Sequence, residues 1–427
     1  MKILIINEVC GHTSTGKICA AIAEKYESEG HKVKIAYGRD GFVPEKYRKY
    51  AVRIGSDVDV KLHALYTRLT DKHGLGSVHA TRKFIDWAND FNPDMVWLHN
   101  LHGYYINYEL LFDWIKSRQN MEVKWTLHDC WSFTGHCSHF TYVKCDKWKS
   151  ECCNCPQKKE YPKSVLFDNS KENYKRKKSA FTGVQNLTIV TPSNWLKEKV
   201  QESFLSDYRI EVHHNSINKT VFKPTPSDFK KQYGIEGKIS ILGVANVWNE
   251  RKGLNDFVHL ASILGKDYVI VLVGLTQKQI ESMPQKISGI YKDEKYNGPI
   301  QVYTAAKTLT SPSKEAPLKM IVGKESADNL NGSVVEQGVE NLYKAITGIS
   351  YIEKSDCVSK LICIPKTNNV KELVEIYSTC DLFVNPTYED TYPTVNLEAI
   401  ACGTKVITYN TGGCKETVMR SENENCI

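Results

Sequence analysis

Short apolar runs rich in β-branched residues alternate with amphipathic stretches along this chain, and the alternation starts afresh about halfway. Consecutive parallel strands need a crossover connection, usually a helix, so the pattern predicts parallel sheets covered by helices. The predicted strands of the first series lie at 2–7, 32–37, 95–98, 123–127 and 187–190. Those of the second series lie at 238–244, 268–273, 360–364, 381–384 and 405–409. The alternation therefore predicts two open α/β domains whose mostly parallel sheets face one another across a cleft.

The length and composition agree with two such domains. At roughly 150 residues per domain, a chain of 427 residues can bury a separate core in each half. We place the division at 207/208, which gives domains 1–207 and 208–427. Apolar residues at 41% and charged residues at 25% exclude a disordered or fibrous chain. The net charge of +7 suits anionic small molecules or a membrane surface as well as nucleic acid. Nucleic-acid binding is nevertheless disfavoured, because the aromatic residues are not interleaved with a basic groove.

The same composition limits where the protein works. Its longest apolar stretch, 268–275, has eight residues, whereas a bilayer span needs roughly 20. The N-terminus leads straight into a predicted strand, so we expect neither a signal peptide nor a transmembrane helix. Without export, we expect the 14 cysteines to stay reduced in the cytoplasm.

Chemically distinctive residues follow many of the predicted strands. In open α/β sheets, ligands bind beyond the carboxyl ends of the strands, where helix N-termini present free backbone N–H groups. The segments at such positions are 11–16, 99–103, 128–129, 246–253, 388–393 and 411–413. We therefore expect the ligand site in the cleft that these segments would line.

Two of these segments suit a phosphate group. Arg251 and Lys252 are adjacent cations at the start of a predicted helix, where they repel each other unless an anion lies between them. A diphosphate clamp is favoured there over a solvated basic turn. The glycines of segment 11–16 would let a backbone approach a phosphate, but a plain strand-to-helix turn explains them equally well.

Two carboxylates mark the segment 385–404. Asp390, with Glu389 beside it, precedes a predicted helix, and Glu398 lies about one turn into that helix. Such a pair can accept hydrogen bonds from the hydroxyls of one ligand, for example a ribose and a pyranose. A charge that complements the helix dipole would explain one acid, but not Glu398 in an otherwise apolar helix.

Several motifs together resemble one enzyme family. They are EAIACGT at 398–404, TGG at 411–413, RKG at 251–253, TPSNW at 191–195, HNSIN at 214–218 and VFKP at 221–224. These motifs resemble the family-four retaining glycosyltransferases, or glycosyl transferases group 1, whose GT-B fold consists of two Rossmann-like domains. TLHDCW at 126–131 and the cysteines after it resemble the subgroup that builds bacterial capsule, exopolysaccharide or lipopolysaccharide.

The resemblance implies roles for individual residues. Asp390, with Glu389 as the alternative, would contact the donor sugar, and Glu398 would bind the ribose. Lys252 would hold the diphosphate with Arg251, because Asn246 stands where most members have an arginine. The residues implied in catalysis are His128, Asp390, Glu389 and Lys252. Those implied in donor binding are Gly16, Asn246, Arg251, Lys252, Glu398, Thr411, Gly412 and Gly413. Those implied on the acceptor side are His99, His102 and Asp129.

The resemblance also implies an activity. We expect a hexosyltransferase-type enzyme that moves a sugar from a nucleotide diphosphate sugar to a glycan or lipid-linked acceptor, with retention and without a required cofactor. Its context would be bacterial surface polysaccharide biosynthesis. Two alternatives stay open: a sugar-nucleotide epimerase of the same fold, which would isomerise the donor, and a non-catalytic protein that binds the nucleotide sugar without turnover.

Three further segments carry hypotheses of their own. Cys137, Cys145, Cys152 and Cys155 could bind structural zinc, although their spacing lacks clean C-x₂-C pairs and reduced thiols are favoured. The basic run 171–178 is favoured as a solvated helix face, and contact with the inner face of the cell membrane is the alternative. The span 288–359 is an unusual insert for this family. It either replaces closing helices that usually follow the TGG motif or marks a rearranged or truncated protein, which leaves activity open.

Overall fold

The computed structural model describes residues 1–283, 286–291, 300–304, 332–348 and 359–419. The chain forms two compact units, of which the first is Met1–Asn215 and the second begins at Ser216. This division lies eight residues after the one we placed at 207/208. The reason is that a strand at Arg209–Val212 pairs in parallel with the preceding strand and so completes the first sheet.

The first unit is built on a seven-stranded parallel sheet. Its strands are β1 (Lys2–Ile6), β2 (Lys32–Tyr37), β3 (Ala51–Arg53), β4 (Met95–Leu98), β5 (Glu122–Thr126), β6 (Leu187–Thr191) and β7 (Arg209–Val212). Their order is β3-β2-β1-β4-β5-β6-β7. The chain adds strands to one side of β1 first and to the other side from β4 onward, which is the arrangement of doubly wound sheets. β3 has only three residues and was not predicted.

Helices cover this sheet. They are α1 (Thr13–Ser28), α2 (Asp57–Thr70), α3 (Val78–Phe91), α4 (Tyr108–Lys116), α5 (Ser170–Phe181) and α6 (Asn194–Gln201). Local chemistry sets several of their starts: Ser56 and Asp59 form a capping box at α2, and the Ser193 side chain accepts a hydrogen bond at the start of α6. The core lies between helices and sheet, where Ile3 to Ile6 of β1 are fully buried.

The second unit is built on an eight-stranded sheet. Its strands are β8 (Ile239–Val244), β9 (Tyr268–Val273), β10 (Lys286–Tyr291), β11 (Ile300–Thr304), β12 (Gly332–Val335), β13 (Lys360–Ile364), β14 (Leu382–Asn385) and β15 (Lys405–Tyr409). The order is β10-β11-β13-β9-β8-β14-β15-β12. The six strands from β13 through β9, β8, β14 and β15 to β12 pair in parallel. β11 pairs antiparallel with β13, and β10 pairs antiparallel with β11 at that edge of the sheet. Its helices are α7 (Phe229–Gln232), α8 (Leu254–Ile263), α9 (Gln277–Glu281), α10 (Val339–Thr347), α11 (Val370–Thr379), α12 (Thr394–Ala401) and α13 (Cys414–Val418).

The described parts of the insert 288–359 supply strands to both edges of this sheet. β11 pairs with β13 at one edge, and β12 pairs in parallel with β15 at the other. The rest of the insert lies outside the described residues. Among the helices that are described, none is long and apolar enough to cross a bilayer.

Candidate active site

Three loops meet at the carboxyl ends of neighbouring strands in the second unit. β14 lies between β8 and β15, so the loops that follow these strands lie side by side. The backbone N–H of Tyr388 donates to the carbonyl of Arg251 at 2.8 Å. The Thr411 hydroxyl donates to the carbonyl of Thr387 at 2.6 Å, and Gly413 N–H donates to the carbonyl of Asp390 at 3.1 Å. The segments 246–253, 388–393 and 411–413 therefore form one hydrogen-bonded surface.

Two ion pairs lie on this surface. Lys252 Nζ is 2.6 Å from Asp390 Oδ2, and both side chains are partly exposed. Arg251 Nη1 is 3.7 Å from Glu389 Oε2, and the Glu389 side chain is only 1% exposed. The mutual repulsion of the two cations is thus relieved by protein carboxylates. Of the two candidate acids, Asp390 is the more accessible, and its Oδ1 also accepts from the N–H of Tyr392 at 3.1 Å.

Local backbone geometry explains how the basic turn is held. Arg251 and Lys252 lie in a short 3₁₀ helix, where Asn249 Oδ1 accepts from the N–H of Lys252 at 3.0 Å. Gly253 follows with φ of +75°, and a Cβ there would lie 2.4 Å from the carbonyl oxygen of Pro386. Only glycine allows this close approach. Gly253 therefore sets the distance between the basic turn, residues 250–253, and the acidic loop, residues 386–393.

Glycine is required a second time at Gly412. Its φ is +52°, and a Cβ would lie 1.9 Å from the carbonyl oxygen of Asp390. Thr411 and Gly413 are buried beside it, whereas Asn246 is exposed at the start of the basic loop. The TGG motif thus lies against the backbone of the acidic loop, and its residues reach the same surface as Lys252.

Glu398 lies on α12 and is half-buried. The Tyr377 hydroxyl, from α11, donates to Glu398 Oε2 at 3.2 Å. This acid of an otherwise apolar helix thus has a tyrosine partner on a neighbouring helix. The sequence did not predict that partner. Its predicted role at a ribose stays a prediction.

Asp256 is a buried residue of this site that sequence reasoning missed. It lies on α8 and accepts hydrogen bonds from the hydroxyl of Tyr409 at 2.7 Å and from that of Tyr388 at 3.0 Å. Burial raises the pKa of the Asp256 carboxyl, and the two hydroxyl donors oppose that rise. Because Tyr388 belongs to the acidic loop, Asp256 anchors that loop to the helix beneath it.

The first unit brings two predicted histidines together at the carboxyl ends of β4 and β5. His99 Nδ1 lies 3.0 Å from His128 Nε2, and their rings stack at a centroid distance of 5.3 Å. Burial lowers the pKa of His128 to about 4 and that of His99 well below its ordinary value. Both imidazoles are therefore neutral near pH 7 and can offer polar nitrogens without adding charge.

His102 and Asp129 form a buried ion pair next to them. His102 Nε2 is 2.9 Å from Asp129 Oδ2, and His102 Nδ1 is 3.1 Å from the hydroxyl of Tyr161. Burial alone would lower the pKa of His102, but the charge and hydrogen bond of Asp129 outweigh it and raise that pKa. Burial likewise opposes ionisation of Asp129, yet His102 lowers its pKa to about 2.

Three residues around this pair were missed. The ring centroid of His73 lies 6.4 Å from that of His102 and 5.7 Å from that of Tyr161. Glu8, two residues after the end of β1, accepts from Asn100 Nδ2 at 3.4 Å and faces Arg39 Nη1 at 3.3 Å. The position of Glu8 near the carboxyl end of a central strand could have predicted that it belongs to the site. His73 and Tyr161 come from distant loops, and no pattern in the sequence predicts their position.

Gly16 lies differently from our expectation. The predicted loop 11–16 is shorter, because α1 already begins at Thr13 and Gly16 is buried within its first turns. The carbonyl of Gly16 accepts from the N–H of Gly11 at 3.1 Å. A Cβ at Gly16 would lie 3.0 Å from Val9 Cγ2. Close packing of α1 on the segment after β1 therefore accounts for this glycine.

The four-cysteine zinc site stays a hypothesis, and three of its thiols take part in hydrogen bonds in this structure. Cys137 and Cys155 share a hydrogen bond, and the N–H of Gly135 donates to Cys152 Sγ at 3.2 Å. Within the described part of the chain, no group of three or more His, Cys, Asp or Glu side chains is arranged to hold a metal ion.

The basic run 171–178 forms most of α5, and much of its charge is already paired. Arg176 makes a bidentate ion pair with Glu109 at 2.8 and 2.7 Å. Lys177 is buried and donates to the carbonyls of Trp131 at 2.6 Å and Thr134 at 3.0 Å. A helix whose cations serve internal contacts is a poor candidate for a membrane-binding face.

Comparison with known proteins bears on the family. Residues 290–427 match the family model described as Glycosyl transferases group 1. The chain is similar to a protein of Escherichia coli (strain K12) named as a colanic acid biosynthesis glycosyl transferase, WcaC, with 30% identity over 135 residues. The aligned region is 30% of this chain and 32% of that protein, so the chain matches about a third of the length of this relative.

Solved structures resemble the whole chain. Sucrose-phosphate synthase from Thermosynechococcus elongatus aligns with a TM-score of 0.54 at 13% identity, over 100% of this chain and 85% of that one. A UDP-forming alpha,alpha-trehalose-phosphate synthase from Burkholderia xenovorans aligns with a TM-score of 0.51 at 9% identity, over 97% and 85%. At such identities the likeness concerns the fold alone. These comparisons confirm the resemblance to the group 1 glycosyltransferases and the GT-B fold of the chain.

Proposed function

We propose that this chain is a retaining glycosyltransferase. It moves a sugar from a nucleotide diphosphate sugar to a hydroxyl of a glycan or lipid-linked acceptor, as a step in bacterial surface polysaccharide biosynthesis. The observation that supports this most is the surface on which Arg251 and Lys252 face Glu389 and Asp390 at the carboxyl ends of adjacent strands. The name of the E. coli relative, a colanic acid biosynthesis enzyme, supports the surface polysaccharide context.

The charges of this surface suit a leaving diphosphate. A lysine ammonium has three N–H donors, and the contact of Lys252 with Asp390 uses one of them. Phosphate oxygens can take the other donors, and charge-assisted hydrogen bonds contribute roughly 1.5–3 kcal/mol each. A related fold, that of HepE from Anabaena, with a TM-score of 0.50 and 14% identity or less to this chain, is known in complex with UDP and glucose, which supports a nucleotide diphosphate sugar as the donor class.

The proposed chemistry needs no protein nucleophile. The acceptor oxygen forms the new bond to the anomeric carbon on the face from which the phosphate oxygen departs, and the acceptor proton passes to that phosphate oxygen. Lys252 and Arg251 stabilise the developing diphosphate charge, which is the largest electrostatic demand of the step. Asp390 accepts a hydrogen bond from a hydroxyl of the donor sugar, and Glu398 accepts from the ribose.

Donor binding and turnover are tested in sequence. Thermal shift and calorimetric titration across nucleotide diphosphate sugars identify the donor, because a ligand stabilises the folded protein as its concentration exceeds Kd. We expect Lys252→Gln to weaken donor binding at least about tenfold, from the loss of one charge-assisted contact. Lys371→Gln is the matched control, since Lys371 is an exposed lysine on α11 of the same unit.

Turnover separates the three candidate activities. Release of nucleoside diphosphate that depends on an added acceptor, with the sugar transferred in the retained configuration, supports the proposal. Isomerisation of the donor sugar without transfer would instead identify an epimerase. Donor binding without any release of nucleoside diphosphate, across a panel of glycan and lipid-linked acceptors, would identify a non-catalytic binding protein.

A further inference from the structure

Helix α2 (Asp57–Thr70) turns apolar side chains to solvent. Its exposed apolar residues are Val58, Leu62, Leu65, Tyr66 and Leu69. The exposed fraction runs from 37% for Tyr66 to 63% for Val58. Surface helices normally direct such residues at the core, so this helix is reversed.

The spacing of these residues makes them one continuous face. Positions i, i+4, i+7, i+8 and i+11 share one side of a helix, and the stripe from Val58 to Leu69 is about 16 Å long. His63 and Thr67 are buried on the opposite side, where the helix packs on the first unit. The helix is therefore anchored by His63, Thr67 and the half-buried Val60, and it leaves its apolar stripe uncovered.

A loop extends the same apolar surface. Val165, Leu166 and Phe167 are consecutive, and each is 58–60% exposed. The N–H of Val165 donates to the carbonyl of Arg68 at 2.8 Å, which holds the loop at the C-terminal end of α2. We call α2 together with residues 165–167 the apolar ridge. Apolar patches of this extent on a protein surface usually mark an interaction site.

Cations border the ridge. Lys61 and Arg68 lie on the flank of the stripe on α2, and Lys163 precedes the loop. Among the described residues, none of these three cations has a carboxylate partner. Some other exposed cations of the first unit are paired, as Lys46 is with Glu24 and Lys171 with Glu151. The three cations beside the exposed apolar side chains are therefore available to an anionic partner.

We propose that the apolar ridge docks onto the surface of an anionic lipid bilayer. A helix that lies in the membrane interface buries an apolar face by about 5–10 Å and keeps cations beside it at the headgroups. The ridge meets both demands, since leucines and a phenylalanine project from it and its unpaired lysines and arginine flank them. The exposed apolar side chains and the flanking cations match the acyl chains and the anionic headgroups of one bilayer surface.

The proposed membrane contact lies on α2 and the adjoining loop, not on α5, and it does not depend on glycosyl transfer. The sequence drew attention to α5, where Lys171 and Lys175 both pair with Glu151. The ridge offers apolar side chains for burial as well as unpaired cations, whereas α5 exposes no large apolar side chain and two of its lysines share one carboxylate. Docking should therefore depend on α2 and be insensitive to the cations of α5.

Sedimentation of the full chain with vesicles tests the ridge. We expect binding to vesicles of phosphatidylcholine mixed with phosphatidylglycerol, and weak binding to phosphatidylcholine alone. The double variant Leu62→Ser/Leu69→Ser should lower the partition coefficient at least about tenfold, because two apolar side chains no longer enter the interface. Replacing Lys61, Arg68 and Lys163 by glutamine should lower it on the order of a hundredfold at low salt.

Two control variants make the result specific. Val370→Ser removes an exposed apolar side chain from the second unit and should leave binding unchanged. Lys171→Gln/Lys175→Gln removes the cations of α5 and should change binding little. Near-UV circular dichroism confirms that each variant is folded, which is expected because all the altered side chains are exposed.

Three outcomes would overturn the proposal. Failure of the wild-type chain to pellet with anionic vesicles would refute it. Loss of binding in the α5 variant with retention in the ridge variants would move the contact to α5. A concentration-dependent dimer of the wild-type chain that the Leu62→Ser/Leu69→Ser variant abolishes, measured by light scattering, would assign the ridge to self-association instead.

Discussion

The buried pair of His102 and Asp129 makes unfolding of the first unit depend on pH in a defined window. The pKa of Asp129 is lowered to about 2 from its ordinary 3.8, which corresponds to about 2 kcal/mol at ~1.4 kcal/mol for each tenfold change. This stability is present above pH 3.8 and is lost as the pH falls through about 2. The pKa of His102 is raised above 6.5, so its contribution is complete below pH 6.5 and is lost as the pH rises through the raised value.

Asp129→Asn removes the charge but keeps the shape of the side chain. We expect it to lower the free energy of unfolding by about 2 kcal/mol between pH 3.8 and 6.5. The difference in unfolding free energy between variant and wild type should shrink at higher pH. His102 is then neutral, so the loss of the Asp129 charge removes little attraction. In the variant, burial acts on His102 without a compensating anion, so the pKa of His102 should fall below 6.5.

Tryptophan fluorescence in urea follows this unit selectively, since seven of the eight tryptophans precede residue 216. The pKa of His102 itself is read from its imidazole signals by NMR. Asp113→Asn, which removes an exposed carboxylate from α4, is the control and should change stability by no more than about 0.5 kcal/mol. A difference between Asp129→Asn and wild type that stays constant from pH 5 to pH 9 would refute the pairing argument, as would an unmoved pKa of His102.

Three further predictions concern single contacts. Gly412→Ala places a Cβ 1.9 Å from a backbone oxygen and should weaken donor binding about tenfold or more, whereas Gly237→Ala, with a similar positive φ but open space around it, should not. Asp256→Ala removes the acceptor shared by the hydroxyls of Tyr388 and Tyr409 and should destabilise the second unit by about 2–3 kcal/mol, measured by hydrogen exchange of β15; an unchanged rate would contradict this anchor. The pKa of Cys155 is lowered to about 7 by a hydrogen bond from a neighbouring thiol and that of Cys152 is raised to about 11 by burial, so iodoacetamide at neutral pH should label Cys155 first. Equal labelling rates would show that the hydrogen bond does not form.

Sequence reasoning located the loops of the second unit because a topological rule applies to them. The strands β8, β14 and β15 end in the segments that carry RKG, the acidic pair and TGG, and parallel strands bring their carboxyl ends to one edge. No local pattern pointed to Asp256, because its partners Tyr388 and Tyr409 lie 132 and 153 residues away in the chain. An isolated acid on a predicted amphipathic helix is indistinguishable from a surface residue until those tyrosines are placed.

The errors have physical reasons of the same kind. β3 has three residues, which is too short for any alternation of apolar and polar side chains to appear. The division at 207/208 preceded β7 because a four-residue strand before a linker carries no mark of the sheet that it joins.

Asp71 connects the apolar ridge to the end of the first sheet where His99, His102 and His128 lie. It directly follows α2, and its buried carboxylate pairs with His136 through Oδ1 and accepts from the N–H of Asn169 at 2.7 Å through Oδ2. His136 belongs to the segment after Asp129, and Asn169 belongs to the segment that begins at the loop 165–167. One carboxylate thus ties the proposed lipid-facing helix and loop to the residues that follow the His102–Asp129 pair. If the acceptor is lipid-linked and the ridge docks on the bilayer, as proposed, this connection would link the docked helix to the residues predicted on the acceptor side, because displacement of Asp71 would break both contacts.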